Sequence, residues 1–180
     1  TNGVGVINTA TVTVPTGIVD SNPGNNTSSV STTIQQPTIT ASKTVSASPL
    51  VVGATGQTYS LIINVAKGPT TAPITVADTL PTGITLSGTP TMAPNAALLT
   101  GCSGAGSSSL GESCQIVAGL ADGSYTITIP VSVAANAVAG GGTNKINLGG
   151  GGDQGCTTAG EDDVCDPSTP VTKGGRVVDL

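Results

Sequence analysis

The carboxylates near the carboxyl-terminal end of the chain are the side chains best placed to do chemistry. Five of the ten acidic residues fall within fourteen positions in a Gly-rich region: Asp153, Glu161, Asp162, Asp163 and Asp166. Clustered carboxylate oxygens in a loop suit Ca²⁺, which takes about six to eight oxygen ligands and tolerates irregular loop geometry. The spacing matches no EF-hand, and an exposed acidic loop is more often simply solvated. Calcium and solvation therefore both stay open for this cluster, and for a smaller set at Asp20, Asn22, Asn25 and Asn26.

The four cysteines fall into two pairs along the sequence, and each pair encloses a short Gly-rich segment. We predict the disulfides Cys102–Cys114 and Cys156–Cys165, which place the protein in an extracellular compartment, secreted or at the cell surface. Each bridge would stabilise the fold by roughly 3 kcal/mol by restricting the unfolded chain. The alternative, a metal site of four cysteines, needs closer pairs than the eleven and eight intervening residues found here.

An intramolecular isopeptide bond is a third chemical hypothesis. In such a bond, a buried lysine amine attacks an asparagine side chain with the help of a buried carboxyl group. The candidates are Lys43 on an early strand, Asn147 on a late strand and Asp78 as the acid. The lysine must be neutral to react, which a desolvating and usually aromatic core favours. Because Tyr59 and Tyr125 are the only aromatic residues, the sequence argues against this bond.

Composition excludes several classes of function. The 180 residues include no His, Trp or Phe, and five Lys or Arg stand against ten Asp or Glu, for a net charge of −5. A chain without His has no His-dependent catalytic triad and no imidazole metal site. Because the four cysteines are expected to be oxidised, no pair of nucleophile and base can be assembled either. We therefore do not expect an enzyme. The acidic balance also repels nucleic acid and anionic lipid.

Apolar runs in this chain are too short for a membrane span or a signal peptide. We therefore predict no membrane insertion. A chain that begins at Thr1 rather than at Met is expected to be a mature or excised piece of something longer.

Alternation of apolar and polar residues with a period of two predicts strands almost everywhere. The first runs from Val4 to Val14 and ends at Pro15. Further strands are predicted at Val30–Ile34, Thr38–Val45, Gln57–Ala66, Ile74–Asp78, Ile84–Leu86 with its flanks, near Cys114–Ala118, Ser124–Val133, Thr143–Leu148 and Ser168–Lys173. Turn signals separate them, among them the Gly140–Gly142 run. This spacing predicts an all-β fold, an immunoglobulin-like antiparallel β-sandwich with an additional N-terminal β-hairpin.

An internal comparison divides the chain in two. Ile7-Asn8 and Ile146-Asn147 each open a strand that leads to an acidic loop and then to a Ser/Thr-rich strand, at an offset of 139 residues. Residues 1–36 therefore look like the last two strands of one repeat, and residues 37–180 like a complete repeat with two disulfide loops. Two unrelated hairpins of similar composition are the alternative. If the duplication is real, we predict that residues 1–36 complete a neighbouring repeat or an identical subunit. The residues expected to be buried there are Val4, Val6, Val12, Val14, Val30 and Ile34.

Motifs in residues 38–86 occur in a recognisable order. Ala41-Ser42-Lys43-Thr44-Val45, then Gln57-Thr58-Tyr59-Ser60-Leu61, then Val76-Ala77-Asp78-Thr79-Leu80-Pro81 resemble the "KT", "G…YT" and "V.V.DTLP.G" strands of DUF11, a bacterial surface repeat family of unknown function. Asn8–Val12 and Asp20–Asn26 are similar to that family's closing "N.A.V" strand and "D…NN" loop. The resemblance implies an Ig-like sandwich found in tandem on secreted or outer-surface proteins, acting as stalk, adhesin or matrix component without known catalysis. The cysteine loops and Gly149–Gly152 depart from the family pattern.

Two functional hypotheses follow. The first is a structural extracellular protein, a subunit or repeat of a cell-surface filament or stalk whose partners are copies of itself or adjacent repeats. The second is an adhesin module that contacts a carbohydrate or protein through the loops at 101–112 and 149–166. Binding surfaces favour aromatic and Arg anchors, and Arg176 is the only Arg. The sequence therefore favours the structural hypothesis.

Overall fold

The computed structural model describes residues 4–137, 140–156 and 168–174. This part of the chain forms thirteen β-strands and three single turns of 3-10 helix. The strands are β1 (Val4–Thr11), β2 (Thr27–Ile34), β3 (Thr38–Val45), β4 (Leu50–Val51), β5 (Gln57–Ala66), β6 (Ile74–Asp78), β7 (Ile84–Leu86), β8 (Thr91–Ala93), β9 (Leu99–Thr100), β10 (Gln115–Ile116), β11 (Gly123–Val133), β12 (Gly140–Gly150) and β13 (Ser168–Gly174). The 3-10 turns are Pro23–Asn25, Ala96–Leu98 and Gln154–Cys156.

The chain divides into two compact units between Gln36 and Pro37. The first unit is a two-stranded hairpin in which β1 and β2 pair antiparallel over the full length of both strands. Residues directly opposite each other in such a pair share one face. The register therefore places Val6, Val30 and Ile34 on the same face of the hairpin.

The second unit is a sandwich of two sheets. A five-stranded sheet has the order β3-β5-β11-β7, with β8 also pairing with β11. A six-stranded sheet has the order β4-β13-β12-β6-β10-β9. Among the described strands, the pairing is antiparallel except where β13 meets β4. The predicted all-β antiparallel sandwich with an N-terminal hairpin is confirmed.

Strict alternation along the strands builds the core of the sandwich. Every second residue of β5 is buried from Gln57 to Val65, and the same pattern runs along β6 and the second half of β11. The core consists mainly of Ile, Leu and Val, with Tyr59 as its largest fully buried side chain. Burial of apolar surface stabilises a fold by about 25 cal/mol per Å². All described core residues lie between Ile39 and Cys156, so the second unit has a core of its own.

Three strands have the bounds that the sequence predicts: β3, β5 and β6. β7 is confined to Ile84–Leu86 and does not extend into the flanks that were predicted with it. Three boundaries were predicted wrongly by three residues. β2 begins at Thr27 rather than at Val30. β1 ends at Thr11 rather than at Val14, although the Val12 amide still donates to the Asn26 carbonyl at 2.8 Å. Gly140–Gly142 is not a turn but the beginning of β12, because it pairs with β13.

The sequence also missed β4, β8 and β9. These strands are two or three residues long, too short to show a period of two. β8 in addition lies between Pro90 and Pro94, and prolines argue against a strand when only the sequence is known.

Candidate functional site

Three polar side chains meet inside the sandwich, between its two sheets. Lys43 lies on β3 of the five-stranded sheet, whereas Asp78 ends β6 and Asn144 lies on β12 of the six-stranded sheet. Each occupies a core-facing position in the alternation of its strand. Asp78 is opposite Ile146 in the register, which makes Asn144 its diagonal neighbour on the same face.

The three side chains converge on one oxygen atom. Lys43 Nζ lies 3.2 Å from Asp78 Oδ2, and Asn144 Nδ2 donates to the same oxygen at 3.4 Å. The side chains of Lys43 and Asp78 are both 0% exposed, and Asn144 is fully buried as well. Tyr59, on the neighbouring strand β5, places its ring centroid 4.6 Å from Lys43 Nζ. This cluster combines an amine, a carboxyl group and a carboxamide in a space closed to solvent.

Burial changes the proton affinities of the cluster. Desolvation lowers the pKa of Lys43 from 10.5 to about 8, against the opposing charge of Asp78. Desolvation also raises the pKa of Asp78, against the charge of Lys43 and the hydrogen bonds from Lys43 and Asn144. Both shifts favour the uncharged form of each group. The pKa of Tyr59 is raised by burial and by the charge of Asp78, so its hydroxyl stays protonated.

Several buried polar atoms of the cluster lack partners. Asp78 Oδ1 and Asn144 Oδ1 have no hydrogen-bond partner within the described part of the chain. The Tyr59 hydroxyl also has no hydrogen-bond partner in the described part of the chain. The side-chain amide of Asn144 is nevertheless close enough to oppose the rise of the Tyr59 pKa. Leaving such a group unpaired costs about 1–3 kcal/mol. A carboxylate can only accept hydrogen bonds, so a proton on Asp78 would introduce a donor among these acceptors.

The isopeptide hypothesis named the wrong asparagine and misjudged the surroundings of the lysine. Asn147 lies opposite Ala77 on the other face of β12, because residues three positions apart on a strand point to opposite faces. Asn144 takes the place next to Asp78 instead. The expected lack of an aromatic cover is also wrong, since Tyr59 lies over the lysine amine. The sequence does contain a signal for Asn144. It lies two and four residues before Ile146 and Leu148 on the same strand, so its side chain points into the core with theirs.

One predicted cysteine pair lies wholly within the described residues. Cys102 and Cys114 form a disulfide with a Cα–Cα distance of 4.1 Å. Beside it, Ser113 Oγ donates to the Gly101 carbonyl at 2.9 Å. Cys156 is buried, whereas Cys165 lies outside the described residues, so the second pairing stays a prediction.

Asp153 is the one member of the predicted acidic cluster within the described residues. Its Oδ2 accepts a hydrogen bond from the Ile39 amide at 2.6 Å, and its Oδ1 accepts one from the Gly155 amide at 2.9 Å. This carboxylate therefore connects the start of β3 to the turn after β12. Glu161, Asp162, Asp163 and Asp166 lie outside the described residues. In residues 4–137, 140–156 and 168–174, no three His, Cys, Asp or Glu side chains come together as a metal site would require, and calcium at the acidic cluster stays a prediction.

The second calcium candidate, around Asp20, forms a hydrogen-bonded loop. The Asn22 amide donates to Asp20 Oδ1 at 2.8 Å, and Asn26 Nδ2 donates to Oδ2 at 2.7 Å. These hydrogen bonds lower the pKa of the Asp20 carboxyl. Both oxygens thus have partners that shape the loop of the hairpin.

The residues predicted to mediate assembly are exposed on the hairpin. Val6, Val30 and Ile34, which share one face, are 47%, 58% and 53% exposed. Val12 and Val14, beyond the end of β1, are exposed as well. The side chain of Val4 lies outside the described part of the structure.

The first loop proposed for an adhesin packs on the sandwich. Leu110 is fully buried, and its amide donates to the Asp78 carbonyl at 3.0 Å. A surface pocket of about 210 Å³ lies where this loop meets the end of β6. It is lined by Ala77, Asp78, Thr79, Ser109, Gly111 and Glu112. Small-molecule sites usually enclose about 300–1,000 Å³, so this pocket is small for a ligand site.

The similarity of this chain to known proteins is weak. No family profile and no curated protein matches the chain. It is similar to the crystal structure of BslA, a bacterial hydrophobin, with 13% identity over 78% of this chain and 96% of that one, at a TM-score of 0.40. It is also similar to AvmM, which catalyses macrocyclization in alchivemycin A biosynthesis, with 12% identity over 79% of this chain and 92% of that one, at a TM-score of 0.44. In the described residues, no helix is long and apolar enough to cross a membrane.

Proposed function

We propose that this protein is a structural extracellular subunit or repeat of a cell-surface filament or stalk, assembled by β-strand complementation between neighbouring units. The observation that carries the proposal is the hairpin of residues 4–34, a separate unit with an exposed apolar face. An isolated two-stranded hairpin is at best marginally stable in water. Burial of its apolar face against another unit would supply the missing stability.

The sandwich does not require the hairpin for its own core. Its buried apolar residues all come from the segment between Ile39 and Cys156, within the described part of the chain. The hairpin strands, β1 and β2, are each eight residues long and pair only with each other among the described strands. Their outer edges carry backbone donors and acceptors that can extend a sheet of a neighbouring copy.

Three further features support a surface role. The disulfide between Cys102 and Cys114 suits an oxidising compartment. The resemblance of residues 38–86 to DUF11 repeats points to tandem or repeated units on a bacterial surface. The deficit of positive charge and of large aromatic side chains fits a protein that contacts copies of itself rather than nucleic acid or lipid.

The test compares the full chain with a chain that lacks residues 1–36. We expect the full chain to form oligomers or filaments, detected by light scattering after size exclusion and by electron microscopy, and residues 37–180 to remain a folded monomer. Equal assembly of both chains would overturn the proposal, as would a full chain that stays monomeric at every concentration examined.

Matched point variants of the hairpin separate its two faces. Val30→Lys places a charge on the apolar face, whereas Thr33→Lys places the same charge on the opposite face of the same strand. Both positions are exposed, so neither change disturbs a core. We expect Val30→Lys to abolish assembly and Thr33→Lys to preserve it; equal effects would mean that the apolar face is not the contact.

A further inference from the structure

The buried cluster of Lys43, Asp78 and Asn144 holds the components of a covalent cross-link. Lys43 supplies a nucleophilic amine, Asn144 an electrophilic carboxamide carbon, and Asp78 a carboxyl group in contact with both nitrogens. An ion pair of this kind would be expected on a surface rather than at 0% exposure, because desolvation of both charges is costly. This cost indicates that the cluster has a role other than stabilising the fold through an ion pair.

We propose that Lys43 Nζ and Asn144 Cγ become joined by an intramolecular isopeptide bond, formed by the protein itself with Asp78 as the proton carrier. The bond would link β3 of the five-stranded sheet to β12 of the six-stranded sheet. The inference does not rest on the assembly proposed above, because every participating atom belongs to one chain.

Proton transfer is the first step of the reaction. Asp78 Oδ2 accepts a proton from Lys43, which leaves a neutral amine with a lone pair. The lowered pKa of Lys43 and the raised pKa of Asp78 both favour this transfer. Two neutral groups also suit a site from which water is excluded.

Bond exchange at the asparagine follows. The lone pair of Lys43 Nζ attacks Asn144 Cγ, the new Nζ–Cγ bond forms, and the Cγ–Nδ2 bond breaks. A second hydrogen of the amine moves through Asp78 to Nδ2, which leaves as ammonia. One hydrogen stays on the new amide nitrogen and the remaining proton stays on the Asp78 carboxyl group. Atoms and charges balance without any oxidant or co-reactant.

Distances within the cluster and the side chain packed against it support this chemistry. Asp78 Oδ2 lies 3.2 Å from the amine and 3.4 Å from the leaving nitrogen, so one oxygen can serve both transfers. The Asp78 and Asn144 Oδ1 atoms lack partners in the described chain, and a protonated Asp78 would offer the developing negative charge on Asn144 Oδ1 a donor. The Tyr59 ring is fully buried and lies 4.6 Å from the amine, so it contributes to the apolar surroundings of Lys43.

Mass spectrometry of the folded full chain tests the inference directly. We expect the intact mass to fall below the mass calculated from the disulfide-bonded sequence by one molecule of ammonia. After proteolysis, a branched peptide should connect the segment containing Lys43 to the segment containing Asn144. An unchanged mass in the folded protein would overturn the proposal, and so would a loss of ammonia located on an unbranched peptide.

Matched variants locate the bond. Lys43→Arg and Asn144→Ala should each retain the calculated mass, whereas Lys145→Arg and Asn147→Ala should lose ammonia as the parent protein does. Asp78→Ala should retain the calculated mass although both linked residues are present. Circular dichroism establishes which variants fold, and the branched peptide of the parent protein decides the question even where a variant does not fold. The mass is read on a single chain, so this test can fail while assembly succeeds, and the reverse.

Discussion

Lys43 shows how burial changes the charge state of a lysine. A lysine on a core-facing position of β3 must either lose its charge or find partners, because transfer of an ion into a low-dielectric interior is strongly unfavourable. Asp78 and the Tyr59 ring serve as partners, and the lowered pKa brings the neutral amine within reach of physiological pH. In the proposed cross-link, this lysine is the nucleophile.

A pH-dependent stability is expected when the cross-link is blocked. In Asn144→Ala no bond can form, so Lys43 keeps its amine, whose pKa burial lowers from 10.5 to about 8 in the folded parent chain. Between these values the unfolded chain binds more protons, so the free energy of unfolding should rise as the pH increases from 8 towards 10. Above that range the raised pKa of Tyr59 acts in the opposite sense, because the unfolded chain then loses its proton first.

Denaturant titrations at several pH values measure this dependence. The double variant Lys43→Met/Asn144→Ala is the control, since it lacks the titrating amine and should show no rise in the same range. A rise of equal size in the double variant would assign the effect to another group.

At the scale of elements, the turn after β12 connects the two sheets. Gly151 adopts a left-handed conformation with φ of 70°, its amide donates to the Pro73 carbonyl at 3.0 Å, and its carbonyl accepts from the Thr71 amide at 3.0 Å. A Cβ at this position would collide with the side chain of Ile39 at the start of β3. The close approach and the left-handed backbone together favour glycine at position 151.

Substitution of Gly151 should therefore destabilise the sandwich more than substitution of a comparable glycine. Gly151→Ala incurs about 1–2 kcal/mol for the left-handed backbone and about 1–3 kcal/mol more for overpacking. Gly53→Ala is the matched control, because Gly53 has φ of 75° and no atom within 4 Å of the added Cβ. Urea unfolding should show a larger loss of stability for Gly151→Ala; equal losses would show that the contact with Ile39 adjusts freely.

At the scale of the whole molecule, the two units of the chain differ in the interactions that stabilise them. The sandwich has a buried core and the Cys102–Cys114 disulfide, whereas every residue of β2 in the hairpin is exposed. Local stability follows buried apolar contacts. The hairpin should therefore be the first part of an isolated chain to open.

Hydrogen exchange measures this difference. In the monomer, we expect amides of β1 and β2 to exchange much faster than those of β5 and β11 in the centre of the five-stranded sheet. In assembled material, the hairpin amides should become protected while those of β5 and β11 change little. Strong protection of the hairpin in the monomer would contradict the proposal that it gains its stability from a neighbour.

Prediction from the sequence succeeded where a local pattern was sufficient. β3, β5 and β6 show clear alternation, and their bounds were predicted without error. β4 and β9 are too short for any pattern, and Gly140–Gly142 becomes a strand only because β13 lies beside it. These strands form because of contacts with segments far away in the sequence, and such contacts cannot be read from the residues of one segment.

The candidate site divides in the same way. The sequence alone determined the all-β class and the small aliphatic core, because side-chain alternation is a property of each strand. Only the tertiary structure decided that Asn144 rather than Asn147 meets Asp78 and that Tyr59 covers the amine. Register between strands and the facing of two sheets join residues far apart in the chain, and their relative positions follow from packing of the whole sandwich rather than from any one segment.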